Sequence, residues 1–100
     1  MIVYNVTLHV ELGINELWVR WMKEEHIPKV LATGCFTDHK FYRVMEENQA
    51  DGMTYAVQYF APDLTAYFDY QNNHAPALQK ESKDIWQDKY TAFRTLLREI

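Results

Sequence analysis

The chain has a single cysteine, Cys35, so no internal disulfide staples it, and a lone thiol fits a reducing compartment. Glycine and proline are scarce, three of each in 100 residues, which excludes linker-like and low-complexity architectures. No apolar run approaches the roughly 20 residues a membrane-spanning helix needs. Positive charge is thin as well: 10 Lys and Arg against 14 Asp and Glu leave a net charge of −4, and the basic residues are scattered. That argues against an electrostatic grip on nucleic acid or on an anionic membrane, and neither partner is expected. The opening MIVYNVTLHVEL has no basic n-region, no continuous apolar stretch and no small-residue cleavage site, so a cytoplasmic location is expected. G-x-S-x-G, phosphate-loop and dinucleotide fingerprints are missing, as are H-x-H, H-E-x-x-H and C-x-x-C spacings. Neither a cofactor nor a metal is therefore expected.

What the chain does have is apolar and aromatic mass. Hydrophobic residues make up 48% and aromatics 15%, enough to exclude wholesale disorder and to furnish one core, so residues 1–100 are read as a single domain. Ile2, Tyr4, Val6, Leu8 and Val10 alternate with Val3, Asn5, Thr7 and His9, the period of a strand. Gly13 breaks it, and Asn15 is expected to cap a helix carrying Leu17, Trp18, Trp21, Met22, Val30 and Leu31 on one side. Pro28 predicts a kink or a restart near His26-Ile27-Pro28, and Gly34 ends the helix. A second strand is expected over Phe36–Met45, an Asp51-Gly52 turn after a polar loop, and a third strand over Thr54–Phe60. Asp63 is an N-cap for a helix over Leu64–Asn73, and Pro76 opens another helical segment to about Lys89.

Tyr90–Arg98 mixes helix and strand formers, and topology decides it. After β-α-β-β-α, a closing strand completes the α+β, ferredoxin-like βαββαβ arrangement: a four-stranded antiparallel sheet with helices on one face. The sheet's second face also carries large apolar groups. In the second strand Phe41 and Met45 oppose Phe36, Tyr42 and Val44, and in the third Tyr55, Val57 and Tyr59 oppose Ala56 and Phe60. Such a face marks an interface, and a homodimer packing sheet against sheet would cover it.

Five segments, MIVYNVTL, WVRWMKEEHIPKVLATGCF, TYAVQYFAP, HAPALQ and DKYTAFRTLL, together resemble a bacterial family, the domain of unknown function 4286. The resemblance spans nearly the whole chain and implies a dimeric α+β barrel, in which ferredoxin-like subunits pair their sheets. It implies no activity. The wider group holds cofactor-free monooxygenases, haem-degrading monooxygenases and muconolactone isomerases, so the fold selects no reaction. The haem-degrading members use an Asn on the first strand with a Trp and a His on the later helix. Asn5 and His74 loosely match two of these, but Tyr67 and Phe68 precede His74 and Trp86 falls well after it, so the pattern is broken.

The candidate catalytic residues are therefore His26, His74 and Asn5. Imidazoles transfer protons near neutral pH, and a strand amide orients a ligand. Against this stands a structural role for each: His26 and His74 sit beside prolines, where rings can bond carbonyls left free at helix ends, and Asn5 can bond across the sheet. His9 and His39 are strand histidines, both candidates for the face away from the helices. Trp18, Trp21, Tyr4 and Tyr67 are the candidate ligand-binding residues, the walls of an apolar pocket between helix and sheet, with Tyr42, Tyr55 and Tyr59 as further hydroxyls. The blander alternative makes these rings plain core. Cys35, with no basic neighbour in sequence, reads as a passive thiol. The expected function is a homodimeric domain binding a small apolar or aromatic ligand. Two alternatives accompany it: a cofactor-independent monooxygenase or isomerase on such a substrate, and a structural or interaction module without ligand.

Overall fold

A computed structural model describes residues 1–45 and 51–100. Four strands form one antiparallel sheet in the order β2-β3-β1-β4, where β1 is Ile2–Glu11, β2 Asp38–Arg43, β3 Gly52–Ala61 and β4 Tyr90–Arg98. The long central strands pair along their whole length, with Tyr4 opposite Tyr59 and Asn5 opposite Gln58. β4 lies along the other side of β1, with Leu8 opposite Ala92 and Val6 opposite Arg94. Among the described residues no helix is long and apolar enough to cross a membrane.

The helices cover one face. After a single 3-10 turn, α1 (Asn15–Trp21) runs through a π-helical turn at Met22–His26 into α2 (Ile27–Ala32). The amide of Ile27 donates to the Met22 carbonyl, five residues back instead of four. Pro28 explains the wide turn: its ring has no N–H and would press on the carbonyl of Glu24 in a regular helix. The sequence places the disturbance correctly, but it is a bulge within a continuous helix and not a break. Gly34, at φ 78, then ends the helix in the left-handed region. α3 (Leu64–Asn73) starts at Asp63, whose carboxylate accepts from the Ala66 amide at 2.9 Å. α4 spans Ala75–Trp86, three residues short of the expected end, and Gln87 turns the chain at φ 58.

The expected alternation in β1 holds. Ile2, Tyr4, Leu8 and Val10 are buried under the helices with Trp18, Val30, Val57 and Tyr59, and each large apolar side chain so covered contributes ~1.5–3 kcal/mol. Asn15 does not act as the cap: it is the first helical residue, and its side-chain oxygen instead accepts from the Tyr55 hydroxyl.

The second strand is shorter than expected, Asp38–Arg43 instead of Phe36–Met45. Phe36 therefore escapes the strand's alternation and turns into the core, 4.9 Å from the Tyr70 ring and 5.3 Å from that of Tyr59. The third strand is longer, starting at Gly52. A Cβ there would meet the Val10 carbonyl oxygen at 2.5 Å and His9 Nε2 at 2.8 Å, so glycine is what lets β3 close on β1. Residues 46–50, most of the expected polar loop, lie outside the described part of the chain.

The uncovered face consists of Val3, Asn5, Thr7 and His9 with Ala56, Gln58 and Phe60, flanked by Lys40 and Tyr42 on β2 and by Phe93, Thr95 and Leu97 on β4. Its apolar content differs from the expectation, because Phe36 is lost to the core while Phe93 and Leu97 are gained. Phe93 is 64% exposed, Tyr42 47% and Leu97 42%.

Candidate functional site

Between the helix-covered face of the sheet and α4 lies a small cleft, enclosing about 50 Å³. β1 supplies Tyr4, Val6 and Leu8, β3 supplies Val57 and Tyr59, β4 supplies Arg94, and the π turn supplies Met22 and His26. Tyr70, Gln79, Ser82 and Tyr90 complete it. The strands deliver these side chains because residues two apart share a face, and the register sets Tyr4 beside Tyr59.

Two polar atoms in this wall have no partner among the described residues: the Tyr59 hydroxyl and Nδ1 of His26, both buried. Burial without compensation costs a hydroxyl or imidazole free energy, so such atoms call for an explanation. Burial pushes the Tyr59 and Tyr70 phenols up, and nearby phenols add to the effect, so both stay neutral. Tyr4 is also raised by burial, partly offset by Arg94, whose Nε donates to its hydroxyl at 3.0 Å. His26 is held down to about 4, chiefly by burial; Glu81 pulls it upward and Lys29 downward. At neutral pH the cleft thus presents a neutral imidazole, neutral phenols and one guanidinium.

His26 does not bond the carbonyls of the helix end. Its ring stacks on Trp21, centroids 4.9 Å apart, and Trp21 in turn meets Trp86 edge-on at 5.8 Å. The π turn is what swings residue 26 toward the cleft, since one extra residue per turn advances the side-chain direction. Above it, Lys29 on α2 and Glu81 on α4 form an ion pair at 2.9 Å. A wider depression of about 240 Å³ adjoins the cleft along α4 and β4, lined by Lys80, Lys83 and Ala92 together with Gln79, Tyr90 and Arg94, which both spaces share.

The sequence candidates are dispersed. Tyr4 and His26 line the cleft, and Tyr59 joins them. Trp18 is fully buried against Tyr55 and Phe41 and does not line it. Tyr67 packs on Tyr4, and its hydroxyl accepts from Gln71 Nε2 at 2.9 Å. Asn5 is on the opposite face of the sheet, donating to Thr7 Oγ1 at 3.1 Å, so it cannot share a site with His26. His74 lies at the α3–α4 junction, stacked on Tyr70 and 4.0 Å from Asp69. His9 does occupy the uncovered face, near Thr54 at 2.9 Å and Asp51 at 3.1 Å. His39 does not: it is opposite Tyr59 and so shares the helix-covered face, because the strand's phase is set by Phe41 packing inward. Sequence reasoning missed Arg94, Ser82, Gln79 and Tyr70. Arg94 carries the one sequence signal, a charge in phase with Tyr90, Ala92 and Leu96, but its place in the cleft depends on β4 lying beside β1.

Solved structures share this architecture. HapK from Hahella chejuensis matches with a TM-score of 0.71 at 7% identity, covering 100% of this chain and 93% of that one. A dimeric ferredoxin-like protein from an uncultured marine organism matches at 0.60 and 13% identity, covering 100% and 93%. SnoaB from Streptomyces nogalater, a cofactor-independent oxygenase, matches at 0.61 and 10% identity, covering 98% and 92%. At such identities the likeness establishes the ferredoxin-like fold alone. No curated protein matches the chain. The family profile whose description is "domain of unknown function (DUF4286)" matches residues 1–100, and the chain belongs to that family.

Proposed function

We propose that this chain is a homodimeric domain, working in the bacterial cytoplasm, that binds a small apolar or aromatic molecule in the cleft between α4 and the sheet. The observation that carries the reading is the pair of buried, unpartnered polar atoms, Tyr59 Oη and His26 Nδ1, in the wall of a cleft that mixes apolar side chains with phenols and Arg94. A ligand with one or two polar atoms satisfies both. The inner space of about 50 Å³ takes only the end of such a molecule, and the remainder extends into the wider depression past Arg94. Arg94, Lys83 and Lys80 at that mouth favour a ligand whose outer end is anionic, such as an aromatic carboxylate.

The uncovered sheet face supports the dimer. Phe93, Leu97 and Tyr42 are exposed there, and Val3, Ala56 and Phe60 lie between them on the central strands. A second copy packed sheet to sheet removes that apolar surface from water. The similar marine protein is itself described as dimeric.

A second reading is favoured by the position of His26. Its buried, unpartnered Nδ1 in the cleft wall can accept a proton from an acidic O–H or C–H of the ligand, and the similar SnoaB is an oxygenase needing no cofactor. His26 is then the catalytic base, with Arg94 beside the resulting oxyanion.

Native mass spectrometry of the protein purified from its own cells tests the main reading. A dimer retaining a small molecule, lost in Tyr59→Phe while the dimer persists, is the expected result. A ligand-free dimer whose Tm no aromatic acid raises overturns it and leaves a structural module. Turnover of the recovered ligand by the wild type but not by His26→Phe would establish the second reading.

A further inference from the structure

Outside the cleft, the fold gathers three side chains of different chemistry that the sequence separates. Cys35 follows α2, Asp69 lies on α3, and His74 ends that helix. Cys35 Sγ donates to Asp69 Oδ2 at 3.2 Å, and His74 Nε2 is 4.0 Å from the same oxygen. One sulfur, one carboxylate oxygen and one imidazole nitrogen thus all lie within 4.8 Å of one another. None of the three lines the cleft.

We propose that Cys35, Asp69 and His74 bind a zinc-type divalent transition-metal ion, with a fourth position left to solvent. Ligand distances of roughly 2.0 Å to nitrogen and oxygen and 2.3 Å to sulfur around a tetrahedral ion separate neighbouring donors by about 3.3–3.6 Å. The sulfur–oxygen pair, at 3.2 Å, is close to that spacing, and a turn of the half-buried His74 ring brings in the nitrogen, now 4.0 Å from the carboxylate oxygen. A sulfur and an imidazole select zinc or its neighbours over calcium or magnesium, which take oxygen ligands.

The surroundings orient the donors. Asn73 Nδ2 donates to Asp69 Oδ1 at 2.6 Å, which holds the carboxylate and leaves Oδ2 for the cluster. The His74 ring is steadied by stacking on Tyr70, and its amide is tied to the Tyr70 carbonyl at 3.0 Å. Thr33 Oγ1 accepts from the Cys35 amide at 3.3 Å, fixing the loop that carries the thiol. Cys35 is buried whereas Asp69 is exposed, so the ion would seat on the thiol and face water across the carboxylate. On binding, the Cys35 S–H bond breaks, its proton leaves to solvent and the sulfur–metal bond forms.

Cobalt titration of the intact chain is the test. Co²⁺ should produce a thiolate-to-metal charge-transfer band in the near ultraviolet that saturates at one equivalent per chain and is bleached by Zn²⁺. Cys35→Ser should remove the band. Because Cys35 is buried and its replacement can cost the fold, Asp69→Asn, at an exposed position, and His74→Ala, at a half-buried one, carry the decision. Each should weaken Zn²⁺ binding about tenfold or more, and Zn²⁺ should raise the Tm of the wild type but not that of His74→Ala. Absence of the band, or a band of unchanged affinity in both His74→Ala and Asp69→Asn, overturns the proposal, the latter by showing a metal held on the thiol without the other two ligands.

Discussion

His26 ties the energetics of one residue to pH. Its folded value near 4 lies below the ordinary 6.5, so the unfolded chain takes up the proton first as pH falls. Stability is full above pH 6.5, declines through the window from 6.5 to 4, and flattens below it. The partly exposed ring limits the loss to on the order of 2 kcal/mol. Urea denaturation at several pH values should show this slope in the wild type and its disappearance in His26→Phe, which keeps the stack on Trp21. Gly52 is the second sensitive residue. With the Val10 carbonyl 2.5 Å from the position of a Cβ, Gly52→Ala must push backbone against backbone between the two central strands. A loss of about 2 kcal/mol is expected, read as a lower urea midpoint with unchanged slope. Neither effect is visible in sequence. The Asp51-Gly52 pair suggests a turn, but the close approach that demands glycine depends on which strand lies alongside.

At the scale of elements, local chemistry was a reliable guide where the chain itself supplies the signal. Asp63 before an apolar-periodic run announces α3, and the structure shows the cap bond to Ala66. Asp63→Ala should accordingly cost about 1 kcal/mol in thermal or chemical denaturation, while the more conservative Asp63→Ser should cost much less. Pro28 announces a disturbance in the first helix, although the form it takes, a π turn that aims His26 at the cleft, depends on the sheet beneath. Tyr90–Arg98 is the strand that the topology requires, its mixed propensity overridden by pairing with β1. Phe36 is the opposite case: an aromatic beside a strand reads as part of it, and only the Tyr4, Tyr59 and Tyr70 rings around it show why it turns inward. The candidate site was half legible. Tyr4, Tyr59 and His26 stand out by type and phase, whereas Arg94 and Ser82 join them only once β4 lies beside β1 and α4 crosses the sheet. The Cys35–Asp69–His74 cluster was not legible at all, because 34 residues separate the thiol from the carboxylate it contacts.

For the molecule as a whole, the uncovered sheet face sets the prediction. Phe93→Lys places a charge at its most exposed aromatic and should yield a monomer of unchanged circular dichroism by light scattering at micromolar concentration. A dimer of undiminished affinity in that variant would place the partner copy elsewhere. The strand order carries a further consequence. β4 is the sheet's outermost strand on one side, nine residues long, with Phe93, Leu96 and Leu97 exposed and no proline or acidic residue along YTAFRTLLR. Its free rim of amides and carbonyls is a template for another extended chain, guarded by little more than the charges of Arg94 and Arg98. In the proposed dimer, quaternary structure is also a safeguard for solubility: dilution or heating that parts the copies would bare the apolar face of this ribbon beside its free rim, and aggregation should begin at residues 90–98.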